Sequence, residues 1–87
     1  MGTLTIYTKP SGCFACNKTK EKFAAADVDF TEVDVTTTPS AREYVAEELG
    51  FTQVPVVVFE QGGSENIWFG LNPGKIEQVI NILKSAA

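Results

Sequence analysis

The sequence predicts an α/β sandwich in which a mixed four-stranded sheet is covered by three helices, in the order β-α-β-α-β-β-α. Three observations carry that prediction. Short stretches of alternating apolar and polar residues trade places with stretches of helical spacing. An apolar run over residues 54–59, broken by Pro55, marks a strand covered on both faces. Gly62-Gly63 then supplies the chemistry of a tight hairpin to the next strand.

Taken in chain order, Thr3–Thr8 alternates around Leu4 and Ile6 and reads as the first strand. Pro10, Ser11 and Gly12 break it, and residues 13–26, rich in Lys, Glu and Ala, read as a helix. Alternation returns over residues 28–35 through Val28, Phe30, Val33 and Val35, with a slip of phase near Thr31. A second helix begins at Thr38-Pro39 or at Ser40, since Pro suits a first turn and Ser40 with Glu43 fits a capping box. Its apolar positions Ala41, Tyr44, Val45 and Leu49 have helical spacing, and Gly50 is a natural stop.

Residues 54–59 form the doubly covered strand, with Pro55 expected at its start or edge because proline gives no ladder hydrogen bond. The turn at residues 61–64 leads into a last strand over 66–69. Asn72 and Pro73 then cap and open a helix whose Ile76, Val79, Ile80 and Leu83 fall on one face. The first β-α-β unit should be a parallel crossover and the last two strands an antiparallel pair. With no repeat and no linker, residues 1–87 read as one domain.

Composition excludes several classes of function. The chain has 87 residues, 44% hydrophobic and 21% charged, which is too apolar for a disordered tail. Two cysteines are too few for a secreted disulfide scaffold, and no apolar run reaches the roughly 18 residues of a membrane span. There is no histidine, so the commonest general base and zinc ligand is missing. The net charge of −4 is unevenly spread. Lys9, Lys18, Lys20 and Lys22 face Glu21 alone over residues 9–22, whereas residues 27–65 hold nine acids against Arg42. An acidic body argues against nucleic-acid binding, and the four lysines read equally as a docking patch or a solvated helix face. No cleavable signal pattern opens the chain, so a cytoplasmic location is expected, and the expected state is a monomer that contacts no membrane. In that reducing compartment two neighbouring cysteines are more readily explained as working thiols than as a staple.

The chemistry concentrates in Cys13-Phe14-Ala15-Cys16. Cys13 falls where a loop meets a helix start, and Cys16 lies one turn on. Unpaired backbone N–H groups and the positive end of the helix dipole favour a thiolate there, aided by Lys9 and the helix lysines if they lie close. Such settings lower a thiol pKa from about 8.5 to between roughly 3.5 and 7.5. Cys13 would attack a substrate disulfide and Cys16 would resolve the mixed disulfide, which makes the pair a redox-active dithiol.

The Cys-x-x-Cys at a helix start, followed by Val54-Pro55 in this order of elements, resembles the thioredoxin superfamily, and within it the glutaredoxin-like branch. The resemblance implies a thioredoxin/glutaredoxin fold with a cis Val54-Pro55 bond packed beside the cysteines. It also implies that Val54 offers backbone groups to an incoming peptide or glutathione, like an added strand. Tyr7-Thr8-Lys9-Pro10, Pro55-Val56-Val57 and Trp68-x-Gly70-x-x-Pro73-x-Lys75-Ile76 are similar to NrdH-redoxins, over nearly the whole chain. That family takes electrons from NADPH through thioredoxin reductase and delivers them to class Ib ribonucleotide reductase, with no bound cofactor besides its cysteine pair. By this resemblance Lys9, Phe14, Ala15, Val54, Pro55, Trp68 and Gly70 meet substrate or partner, with Trp68 equally placed in the core or at the groove rim. The chain differs from those proteins by one more residue before Cys13 and by Phe14-Ala15 where they carry Val-Gln or Met-Gln. It also has Trp-Phe-Gly-Leu-Asn-Pro-Gly in place of Trp-Ser-Gly-Phe-Arg-Pro-Asp.

Ordinary glutaredoxins are the alternative. They hold glutathione with a Lys before the active site, a Thr-Val-Pro segment and a Gly-Gly-x-Asp type of turn after the last strand. Here Gln53 replaces the Thr, Gly62-Gly63 precedes the last strand, and the corresponding Gly70-Leu71-Asn72 offers no carboxylate. A reading from another class is a binding module whose cysteines hold a metal or iron–sulfur cluster between two chains.

Overall fold

The structure, a computed structural model, describes residues 2–85. Its strands are β1 (Thr3–Thr8), β2 (Thr31–Asp34), β3 (Val56–Gln61) and β4 (Ser64–Phe69). The helices are α1 (Phe14–Ala25), α2 (Pro39–Glu43, continuing as a π-helical turn over Tyr44–Glu48) and α3 (Pro73–Ser85). The four strands form one sheet in the order β2-β1-β3-β4. β1 and β2 run parallel and β3 and β4 antiparallel, as the element order predicts, and β3 is also antiparallel to β1.

Strand parity decides which side chains meet which helix. Leu4 and Ile6 of β1, Val57 and Phe59 of β3 and Trp68 of β4 share one face, where they pack with Phe23 of α1 and Ile76 and Val79 of α3. Val56 and Val58 point to the other face, against Val45 of the π-helical turn and the partly buried Tyr7, Tyr44, Leu49, Phe51 and Ile67. All of Val56-Val57-Val58-Phe59 is buried, which is why this segment shows no polar alternation. Each such side chain contributes about 1.5–3 kcal/mol by leaving water, so β3 anchors both layers.

Several boundaries differ from the sequence reading, each for a local reason. Cys13 is the N-cap and the helix itself begins at Phe14. β2 is confined to Thr31–Asp34. The phase slip near Thr31 marks a change of side: Val28 and Phe30 pack on the α1/α3 face, while Val35 packs on the α2 face. The Ser40/Glu43 capping box does not form, because Thr38 is the N-cap, makes no side-chain cap bond, and Pro39 takes the first turn. Beyond Glu43 the helix widens, with Leu49 N–H donating to Tyr44 C=O at 3.0 Å and Phe51 N–H to Val45 C=O at 3.0 Å. β3 starts at Val56, with Pro55 just outside the ladder, and β4 begins at Ser64, two residues earlier than the apolar pattern suggests. The hairpin loop is Gly62-Gly63, with φ of 56° and 85°, left-handed values that match a primed two-residue turn.

Candidate active site

Cys13 sits where β1 has ended and α1 begins. Gly12, with φ of 68°, turns the chain into it, and Cys13 itself is extended (φ −122°, ψ 90°), as an N-cap residue is. Its sulfur therefore occupies the position that a Ser or Asp oxygen usually fills. The backbone N–H of Cys16 donates to Cys13 Sγ at 3.1 Å, and Asn17 N–H donates to Cys13 C=O at 3.2 Å. No acid lies in the first turn of α1, so nothing there opposes the positive end of the helix dipole. Cys13 and Cys16 are joined as a disulfide with their Cα atoms 5.3 Å apart. Cys16 is fully buried, whereas Cys13 retains 9% of its exposure. Of the two, Cys13 is thus the one that an external substrate can reach.

The Val54-Pro55 bond is cis, as the resemblance implies. The Val54 carbonyl oxygen lies 3.9 Å from Cys13 Sγ, within reach of a Cys13 thiol proton once the disulfide is reduced. Pro55 is buried, and its carbonyl accepts from Gly70 N–H at 2.8 Å, tying the chain leaving β4 to this loop.

A groove of about 630 Å³ opens over the disulfide. Lys9, Gly12, Cys13, Phe14 and Ala15 form one wall, and Val35, Thr36, Arg42, Val45 and Ala46 the facing one. Phe51, Thr52, Gln53 and Val54 complete it. Of the residues expected from sequence, Lys9, Cys13, Phe14, Ala15 and Val54 meet here. Phe14 is 70% exposed, with Lys18 Nζ 5.9 Å from its ring centroid. Pro55 and Gly70 are not among the residues that line it.

Trp68 requires a correction. It is 5% exposed and belongs to the α1/α3 core with Phe23 and Ile76, so it does not rim the groove. Its register partner is Val57, and strand pairing places both on the core face. Its Nε1–H has no hydrogen-bond partner among the described residues.

Sequence reasoning missed the facing wall. Arg42 and Phe51 bear no motif, and they reach Cys13 only because α2 and the loop before β3 fold across the sheet. The one available signal was that Arg42 is the single base among the acids of residues 27–65. A polar link that runs from the buried Thr8 to the surface was also missed. The Thr8 hydroxyl donates to Glu32 Oε2 at 2.8 Å, and Lys20 Nζ donates to the same oxygen at 2.9 Å. The Lys20 hydrogen bond, followed by that of Thr8, holds the Glu32 carboxyl below its ordinary pKa.

With this geometry in place, comparison with known proteins decides the family. The Glutaredoxin family profile matches residues 4–62, more than half the chain. The chain belongs to the glutaredoxin family. The glutaredoxin-like protein NrdH of Escherichia coli K12 is 32% identical over 76 residues, covering 87% of this chain and 86% of that protein. The structure of the E. coli NrdH-redoxin superposes with a TM-score of 0.73, covering 88% of this chain and 93% of that one. The gene 56 protein of Mycobacterium phage L5 is 37% identical over 78 residues, covering 90% of this chain and 72% of that protein. The thioredoxin-like protein BC3987 has a TM-score of 0.75 at 26% identity, covering 88% of this chain and 99% of that one. This glutaredoxin is therefore a thiol-disulfide oxidoreductase of the NrdH-like kind, and its redox group is the Cys13–Cys16 pair.

Proposed function

We propose that this glutaredoxin works as an NrdH-redoxin does: it takes electrons from NADPH through thioredoxin reductase and passes them to class Ib ribonucleotide reductase in the cytoplasm. Cys13 is the nucleophile. Its thiolate attacks one sulfur of the substrate disulfide, forming a mixed disulfide and releasing the other substrate sulfur as a thiolate. Cys16 loses its proton and attacks Cys13 Sγ, closing the protein disulfide and freeing the second substrate sulfur. Two electrons pass from protein dithiol to substrate disulfide, and two protons follow to the substrate thiols. The reductase then reverses the protein's half of this exchange. Phe14, Ala15 and Val54 border the approaching substrate chain, and Val54 contributes backbone pairing to it.

The observation that carries the choice of electron donor is the use made of Asn72. Glutaredoxins that hold glutathione place a carboxylate-bearing turn here, whereas Asn72 Oδ1 accepts the N–H of Lys75 at 3.1 Å and caps α3. The side chain at this place serves the helix. The test is NADPH oxidation with a generic disulfide in two parallel assays, one with thioredoxin reductase and one with glutathione plus glutathione reductase. Turnover with thioredoxin reductase alone is expected. Turnover only with glutathione would replace this reading by that of an ordinary glutaredoxin.

A further inference from the structure

The segment that completes the groove beside Cys13 has little regular structure to hold it. Residues 51–55 belong to no helix or strand, and two backbone hydrogen bonds secure the segment at its ends. Phe51 N–H donates to Val45 C=O at 3.0 Å, and Pro55 C=O accepts from Gly70 N–H at 2.8 Å. Between these ends lies Val54, whose carbonyl oxygen is the group 3.9 Å from Cys13 Sγ.

A side-chain contact also reaches this segment, from a residue that does not line the groove. The ring of Phe69, the last residue of the edge strand β4, lies 5.1 Å from that of Phe51, centroid to centroid, with 41° between their planes. Aromatic pairs of this kind attract one another beyond the area they bury. Phe69 is 50% exposed and belongs to neither core cluster, so its ring adds little to the interior. Its partner is Phe51. With Gly70, the next residue, bonded to Pro55, the end of β4 grips the segment at both of its ends.

We propose that Phe69 is a positioning residue: stacked on Phe51, its ring holds residues 51–55 in place, so that the Val54 carbonyl stays opposite Cys13 Sγ. The inference rests on the reading of Cys13 as the attacking thiol, and it gives Phe69 no contact with the reacting sulfurs. A carbonyl oxygen beside the sulfur accepts the thiol proton and disfavours the thiolate, whereas the Cys16 N–H favours it. Of these two groups the donor is fixed in α1, and the acceptor rides on the segment that Phe69 grips. A carbonyl held in place keeps the sulfur basic, and a more basic thiolate is the better nucleophile. Loss of the Phe69 ring frees the carbonyl and lowers the thiol pKa. The charged groups around Cys13 are Lys9 before it, Lys18 of α1 beside Phe14 and Arg42 of α2, and residues 51–55 carry no charge. All three cations are retained in every variant compared below.

The test uses the full chain carrying Cys16→Ser, in which Cys13 is the only thiol. Its alkylation by iodoacetamide is followed from about pH 4 to about pH 10, a range that brackets thiol pKa values. So small a reagent reports on the sulfur itself and needs no docking surface. The midpoint of the profile is expected to fall by about 0.3–0.5 unit in Phe69→Leu and to keep its native value in Phe69→Tyr, which restores a ring. Phe51→Leu should lower it by a similar amount. Adding Phe69→Leu to Phe51→Leu should lower it no further, because the two rings form one contact. A purely structural role for Phe69 would lower the melting temperature and leave the midpoint unmoved. A midpoint unchanged by Phe69→Leu, a shift that persists in Phe69→Tyr, or shifts that add in the double variant would each overturn the positioning role and leave Cys13 as the nucleophile. A Cys13 that stays unalkylated across the range would overturn the nucleophile assignment and this inference with it.

Discussion

The backbone N–H of Cys16 points at the sulfur of Cys13 from 3.1 Å, so the two cysteines of the site are joined through a helix cap as well as through their disulfide. This arrangement separates their chemistry. Reduction leaves Cys13 Sγ at the start of α1 beside an N–H donor, which stabilises a negative sulfur, while the fully buried Cys16 has no such exposure to solvent. When the reduced protein is treated with limiting iodoacetamide near pH 7, peptide mapping should find the label on Cys13 and very little on Cys16. Equal labelling would contradict the assignment of Cys13 as nucleophile.

Trp68 tests the division between core and groove. Trp68→Ala removes a buried indole from the α1/α3 core and should cost about 3–5 kcal/mol in a urea melt. Trp68→Phe should cost much less, because the indole N–H it gives up has no hydrogen-bond partner. In the folded Trp68→Phe protein, thiol exchange with a small disulfide should proceed at the native rate. A stable variant with slowed exchange would return Trp68 to the groove.

Asn72 makes the converse case, a residue at the glutathione-related position that works for stability. Asn72→Ala should lower stability by about 1 kcal/mol through loss of the cap on α3. Asn72→Asp keeps an oxygen at the cap and should keep the stability too. Denaturation midpoints read both variants, and no loss in Asn72→Ala would contradict the capping role.

Glu32 gives the pH dependence a definite sign. Its carboxyl is held below its ordinary pKa chiefly by Lys20 and then by Thr8, so the folded state binds its proton less readily than the unfolded state does. The resulting stabilisation is present above the unfolded-state pKa and is lost as pH falls through the lowered folded-state value. Glu32→Gln should therefore flatten part of the fall in Tm between neutral pH and about pH 3, while lowering Tm slightly at pH 7. An unchanged acid limb would show that the Lys20 and Thr8 contacts do not hold in solution.

The sequence was most legible where local pattern decides structure. Ile76, Val79, Ile80 and Leu83 mark the buried face of α3, and Gly62-Gly63 marks the hairpin, because both signals lie within a few residues. The Cys13/Cys16 pair was legible for the same reason. The π-helical turn was not. Tyr44–Glu48 carries ordinary helix formers, and only the bond from Leu49 N–H to Tyr44 C=O reveals the widening. Trp68 stood equally between core and groove rim in the sequence, because a motif names its neighbours but not its face, whereas pairing with Val57 fixes the face. Arg42 and Phe51 were invisible because they lie about 30 and 40 residues from Cys13, and tertiary packing alone makes them neighbours of the disulfide.

The most direct test of the central claim is to trap the intermediate. Reduction of a disulfide-bonded substrate protein by Cys16→Ser should stop at the mixed disulfide, and intact-mass analysis should show one substrate chain bound through Cys13. Addition of dithiothreitol should release it. A Cys16→Ser protein that turns over freely, or a Cys13→Ser protein that keeps full reductase activity, would contradict the mechanism.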